Sequence, residues 1–94
     1  MYLMISTYLA PLDEVDAARA DHFEFLAGLE ARGLVVGAGR QDPPTGGIVL
    51  LDVDTEAEAR ALFADDPYVV RGLARYEPTG WKPTRGALAT WSRR

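Results

Sequence analysis

Gly33-Leu34-Val35-Val36-Gly37-Ala38-Gly39 and Ile48-Val49-Leu50-Leu51-Asp52-Val53, joined by Arg40-Gln41-Asp42-Pro43-Pro44-Thr45-Gly46-Gly47, set the topology of this chain. Both outer runs are short, apolar and rich in strand-forming residues. The polar, Pro- and Gly-rich stretch between them has the length of a connection between adjacent strands. An antiparallel hairpin of strands 34–39 and 48–53 is therefore expected.

Helical patterns flank the hairpin. From about Leu12 to Arg32, the residues Val15, Ala18, His22, Phe25, Leu26 and Leu29 recur at three- and four-residue spacing and form one stripe. Asp16, Glu24 and Glu30 fall off it, and Gly33 supplies the stop because it has no Cβ to oppose a left-handed turn. On the other side, Thr55-Glu56-Ala57-Glu58 is a capping box that opens a second helix, with Ala59, Leu62 and Phe63 on its buried edge. Pro67 ends that helix and opens a short helical turn through Gly72. Strands over residues 2–9 and about 73–81 complete the pattern. Residues 1–83 read as one domain and 84–94 as a C-terminal arm or tail.

The order is β-α-β-β-α-β, the split βαβ arrangement of a ferredoxin-like α+β fold. It predicts a four-stranded antiparallel sheet with two helices on one face. In the first strand Leu3 and Ile5 oppose Tyr2, Met4 and Tyr8; in the third, Ile48 and Leu50 oppose Val49, Leu51 and Val53. A sheet with one wet face alternates apolar and polar residues. Strands apolar on both sides imply that the helix-free face is covered too, most simply by a second copy in a twofold homodimer.

Ninety-four residues suffice for one modest core. No apolar run approaches the roughly 20 residues of a membrane span, and the start lacks a signal peptide's basic region, so a cytoplasmic protein without a membrane partner is expected. The chain has no cysteine, which removes disulfide and thiolate chemistry. Its 14 acidic and 10 basic residues give a net charge of −4, which opposes nucleic-acid binding. The cations that do gather, Lys82, Arg85, Arg93 and Arg94, read as a solvated tail.

His22, the single histidine, sits within the apolar stripe. An imidazole there needs a hydrogen-bond partner, since an unpaired buried polar group costs about 1–3 kcal/mol. It is either a satisfied core residue or a general acid–base group held between helix and sheet. Asp66, directly before Pro67, is either the cap of the following turn or the carboxylate that orients His22. Spacing does not choose.

Three segments resemble the YciI-like (YCII-related) family of the dimeric α+β barrel superfamily. Arg19-Ala20-Asp21-His22 is similar to its Arg-x-x-His, Gly33 to Gly39 to its Gly-x-Leu…Ala-Gly strand, and Asp65-Asp66-Pro67-Tyr68-Val69-Val70-Arg71-Gly72-Leu73 to its Asp-Pro-Tyr segment. The resemblance runs from residue 1 to about Pro83. It implies a His–Asp pair in a cavity, carried over as His22 and Asp66, with Arg19 lining it. Ala38-Gly39-Arg40 departs from the family's Ala-Gly-Pro, which places Arg40 at the rim and makes it a candidate substrate-binding residue.

Other signals are weaker. Asp52, Asp54, Glu56 and Glu58 look like a metal-binding run but span a strand end and a helix start, where solvated acids and caps are ordinary; no metal and no cofactor are expected. Trp81 and Trp91 read as dimer or core anchors. Three functions stay open: a cofactor-independent lyase or isomerase moving a proton on a ring-containing metabolite through His22 and Asp66; a non-catalytic small-molecule-binding or regulatory dimeric module; and a structural pair in an interaction protein. A haem oxygenase with His22 as ligand is weaker still.

Overall fold

The computed structural model describes residues 1–91. Strands β1 (Tyr2–Tyr8), β2 (Val35–Arg40), β3 (Gly47–Leu51) and β4 (Ala74–Gly80) form one antiparallel sheet in the order β2-β3-β1-β4. The first strand is thus central, and each helical connection crosses one intervening strand. This is the ferredoxin-like arrangement expected from the order of elements.

The first helical region differs from expectation in one respect. The single helix over 12–32 is two helices, α1 (Leu12–Ala17) and α2 (Arg19–Ala31), broken at Ala18 with φ −97° and ψ 1°. Packing explains the break, because neither Pro nor Gly is present. Val15 and Ala18 are buried in a small cluster with Tyr68 and Ala74, whereas Leu26 and Leu29 enter the main core. A straight helix would aim one stripe at one cluster, so the break lets the same stripe serve two. Gly33 terminates α2 as expected, at φ +72°, with the Leu34 amide returning to the Leu29 carbonyl.

The main core joins Met4, Val49 and Leu51 of the sheet to Leu26 and Leu29 of α2 and to Ala59 and Phe63 of α3 (Glu56–Phe63). Thr55 caps α3 by accepting the Glu58 amide at 3.1 Å. The Glu58 carboxylate accepts the Thr55 hydroxyl at 3.2 Å, in place of the backbone bond a full capping box makes. The Asp66-Pro67 pair then opens α4 (Pro67–Val70).

On the opposite face Leu3 pairs with Leu50 and Ile5 with Ile48. Leu50 is buried within the single chain, while Ile48 is 38% exposed. Trp81 and Trp91 are 43% and 45% exposed, so neither anchors the core. The Trp91 indole instead donates to the Asp52 carboxylate at 2.7 Å, tying residue 91 back to the end of the hairpin. Within the basic cluster, Arg93 and Arg94 lie outside the described residues.

Candidate active site

Asp66 has the extended backbone of a helix cap, φ −61° and ψ 126°, and its Oδ1 accepts the Tyr68 amide at 3.0 Å. The same oxygen lies 2.9 Å from His22 Nδ1, and Oδ2 accepts the Tyr76 hydroxyl at 2.8 Å. The two readings of Asp66 are therefore both true, since one carboxylate caps α4 and holds the histidine. It is wholly buried, and three donors offset its desolvation. A carboxylate accepts, so the proton of the His22 bond sits on Nδ1.

Tyr68 fixes the imidazole from a second direction. The two rings stack at 4.0 Å between centroids with 8° between planes, and Tyr8 meets Tyr68 edge-on at 6.2 Å. Among the described residues no protein group bonds to His22 Nε2, and His22 borders a cavity of about 210 Å³. Strand register explains why space remains here. Tyr2, Met4, Ser6 and Tyr8 alternate toward the helices, and past the bulky Met4 the sheet presents Ser6, Gly47 and Ala38. These small side chains do not reach the helical layer. The Ser6 hydroxyl accepts the Gly47 amide at 2.7 Å, and Gly46 passes so close that a Cβ there would stand 1.8 Å from the Ser6 carbonyl oxygen.

The mouth is cationic. Arg40 Nε donates to the Tyr8 hydroxyl at 3.1 Å, and its Nη2 is ion-paired with Asp16 of α1. The Arg40 hydrogen bond holds the Asp16 carboxyl below the usual carboxylate range, and Asp16 and Tyr8 raise the guanidinium further. Arg19 lies over the Phe23 ring, 4.9 Å from its centroid. Burial, reinforced by the Asp66 charge, pushes the Tyr76 hydroxyl far above the ordinary phenol range; burial, then Tyr8, also raises Tyr68. An exposed Arg71–Asp21 pair at 2.6 Å ties α4 to α2 beside the site.

Of the residues singled out from sequence, His22, Arg19 and Arg40 line the cavity, and Asp66 stands behind His22. Tyr76, Tyr8, Tyr68, Phe23 and Asp16 were not assigned roles. Strand alternation places Tyr8 on the helix-facing side, but pairing Tyr76 with Ser6 requires the β1–β4 register. Asp16 falls off the apolar stripe and is exposed, as read, yet it is the partner of Arg40. No cluster of three or more His, Cys, Asp or Glu suited to a metal ion occurs among the described residues.

Fold and site together define a class: a ferredoxin-like α+β domain with a histidine, a buried carboxylate and a tyrosine hydrogen-bonded in series beside an aromatic cavity. The chain belongs to the YCII-related domain family, which matches over residues 1–82. Among solved structures it is similar to the 5-chloro-2-hydroxyhydroquinone dehydrochlorinase TftG from Burkholderia phenoliruptrix AC1100 in complex with 2,5-dihydroxybenzoquinone. That likeness has a TM-score of 0.70 and 21% identity, covering 87% of this chain and 94% of the other, and it shows the shared fold. No curated protein sequence matches the chain. No helix among the described residues is long and apolar enough to cross a membrane.

Proposed function

We propose that this chain is a small lyase or isomerase that works without a cofactor, with His22 Nε2 as the group that takes and returns a proton on a ring-containing metabolite. The observation that carries the reading is the arrangement of His22. Asp66 holds its Nδ1 at 2.9 Å, Tyr68 stacks on its face, and the cavity lies at its free edge. With the proton on Nδ1, the Nε2 lone pair is available to an acidic C–H or O–H of a bound ring. The imidazolium so formed faces a carboxylate that the Tyr76 hydroxyl steadies. The released electron pair either expels a leaving group, giving elimination, or returns to a different carbon on reprotonation, giving isomerisation.

The cavity supports a substrate about the size of one ring, since about 210 Å³ falls below the roughly 300–1,000 Å³ typical of drug-sized ligands. The similar structure is named a dehydrochlorinase and holds a dihydroxybenzoquinone, which favours ring chemistry here. The test is turnover of hydroxylated and halogenated ring compounds followed by absorbance. His22→Gln is expected to lower kcat by about 10²–10⁴-fold, the usual contribution of a positioned acid–base group. Binding without turnover by the wild type would replace this reading with that of a small-molecule-binding or regulatory module.

Pairing of two copies through the helix-free face is part of the same proposal, supported by Leu3, Ile5, Ile48 and Leu50 on a face that no helix covers. Sedimentation should give a dimer for the wild type and a monomer for Ile48→Glu; a monomeric wild type would remove this part.

A further inference from the structure

The side chains around the cavity are unbalanced in charge. Among the described residues two guanidinium groups, Arg40 and Arg19, border it, and no carboxylate does. This occurs in a chain whose net charge is −4. Asp66 is behind His22 and occupied by three donors, and Asp16 reaches the site only through its bond to Arg40. The rings of Tyr8, Phe23, Tyr68 and Tyr76 line it together with aliphatic and small residues such as Leu26, Val49 and Ser6. Arg40 bridges β2 to α1 at the mouth, with its side chain 24% exposed, and donates from Nε to Tyr8 and from Nη2 to Asp16. A guanidinium has five N–H donors in a planar fork, and the part of that fork held by the half-exposed Asp16 can be taken by another oxyanion.

We propose that the cavity selects a small aromatic anion, a ring bearing a carboxylate or phenolate oxygen, whose charge docks on Arg40 in exchange with Asp16 while the ring lies among the aromatic walls. The inference deepens the function proposed above and rests on it for the placement of the ring beside His22. Asp16 is then a stand-in for the ligand's oxyanion. It holds the fork aligned when the cavity is empty and yields it when an anion arrives, at little cost because its own side chain is 41% exposed and regains water. Arg19, held over Phe23, adds a second positive charge on the α2 side.

The test compares 4-hydroxybenzoate with 4-hydroxybenzamide, which match in size and differ in charge, by calorimetric titration at neutral pH. The wild type is expected to bind the acid about tenfold or more tightly than the amide, the scale of one charge-assisted contact. Added salt should shrink that preference, and Arg40→Met should abolish it. The distinguishing variant is Asp16→Asn, which is expected to tighten the acid several-fold and leave the amide unchanged, because a competitor for Arg40 has been removed. If Asp16 merely props Arg40, the same variant weakens the acid, and the proposal is overturned. Equal affinity for the two probes, or no binding of either at millimolar concentration, overturns it as well. A preference that survives in a protein that turns over no ring compound would sink the proton-transfer reading and leave this one standing. Turnover of rings without an anion preference would do the reverse.

Discussion

Asp66 and Asp16 each hold a side chain that borders the cavity, Asp66 from inside the protein and Asp16 from its rim. Asp66 is wholly buried and accepts from Tyr68, His22 and Tyr76. Asp16 is 41% exposed in its side chain and, among the described residues, is bonded to Arg40 alone. The difference shows how burial changes what an ion pair does. Out of water, each donor lost leaves a group with no alternative, so the Asp66 centre is rigid and its members are mutually dependent. At the surface, water and salt replace either partner, so the Arg40–Asp16 contact adds little stability and is free to be exchanged. A proton-transfer group needs the first environment and a ligand-admitting rim needs the second.

The sharpest way to break this contrast is Asp66→Ala. It leaves the Tyr76 hydroxyl, His22 Nδ1 and the Tyr68 amide unpaired, and should cost about 3–5 kcal/mol in urea unfolding, as loss of one partner from a buried pair does. A loss no larger than that of a surface substitution would show that water reaches the Asp66 centre and that the contrast is false.

Tyr76→Phe comes next, at about 1.5–3 kcal/mol for one buried bond to a charged acceptor. Its pH dependence carries a sign. The folded hydroxyl titrates above the ordinary value of 10.0. Its contribution is therefore complete below that value and falls as the pH rises beyond it and the unfolded chain ionises. Unfolding midpoints measured toward alkaline pH should decline less steeply in Tyr76→Phe than in the wild type.

Thr55→Ala sharpens the comparison from outside the site, because Thr55 is also a helix cap but an exposed one. A loss of about 1 kcal/mol with unchanged ligand binding is expected from a denaturation curve and a titration run side by side. Asp16→Asn should have the smallest effect, with a melting temperature equal to wild type near neutral pH. The lowered Asp16 value means that its contribution is present above the ordinary 3.8 and disappears as the pH falls through the folded value. Any difference between the two proteins should therefore vanish in acid, and a large difference at neutral pH would show that the rim is structural.

Much of this is legible in the sequence. The hairpin, the stop at Gly33, the cap at Thr55 and the restart at Pro67 are local events with local chemistry, and each falls within a residue or two of where that chemistry places it. The break at Ala18 was not legible, since alanine is the best helix former and only the competition between two clusters for one stripe unwinds it. Trp91 is another case: its bond to Asp52 joins residues with no shared periodicity.

By itself the sequence determined the element order, and with it the ferredoxin-like topology and the two apolar faces of the sheet. Those depend on backbone propensity and side-chain period, which act over a few residues. It also nominated His22 and Asp66, but with two readings for each. Only the tertiary structure decided that the two meet, that Tyr76 completes the series and Tyr68 stacks on it, and that Arg40 crosses the mouth to Asp16. The contacts around Asp66 follow from the register of β4 on β1 and the packing of α2 against α4, and the last from the placing of α1 beside the end of β2. All are set by burial summed over the whole molecule, which no short window of sequence contains.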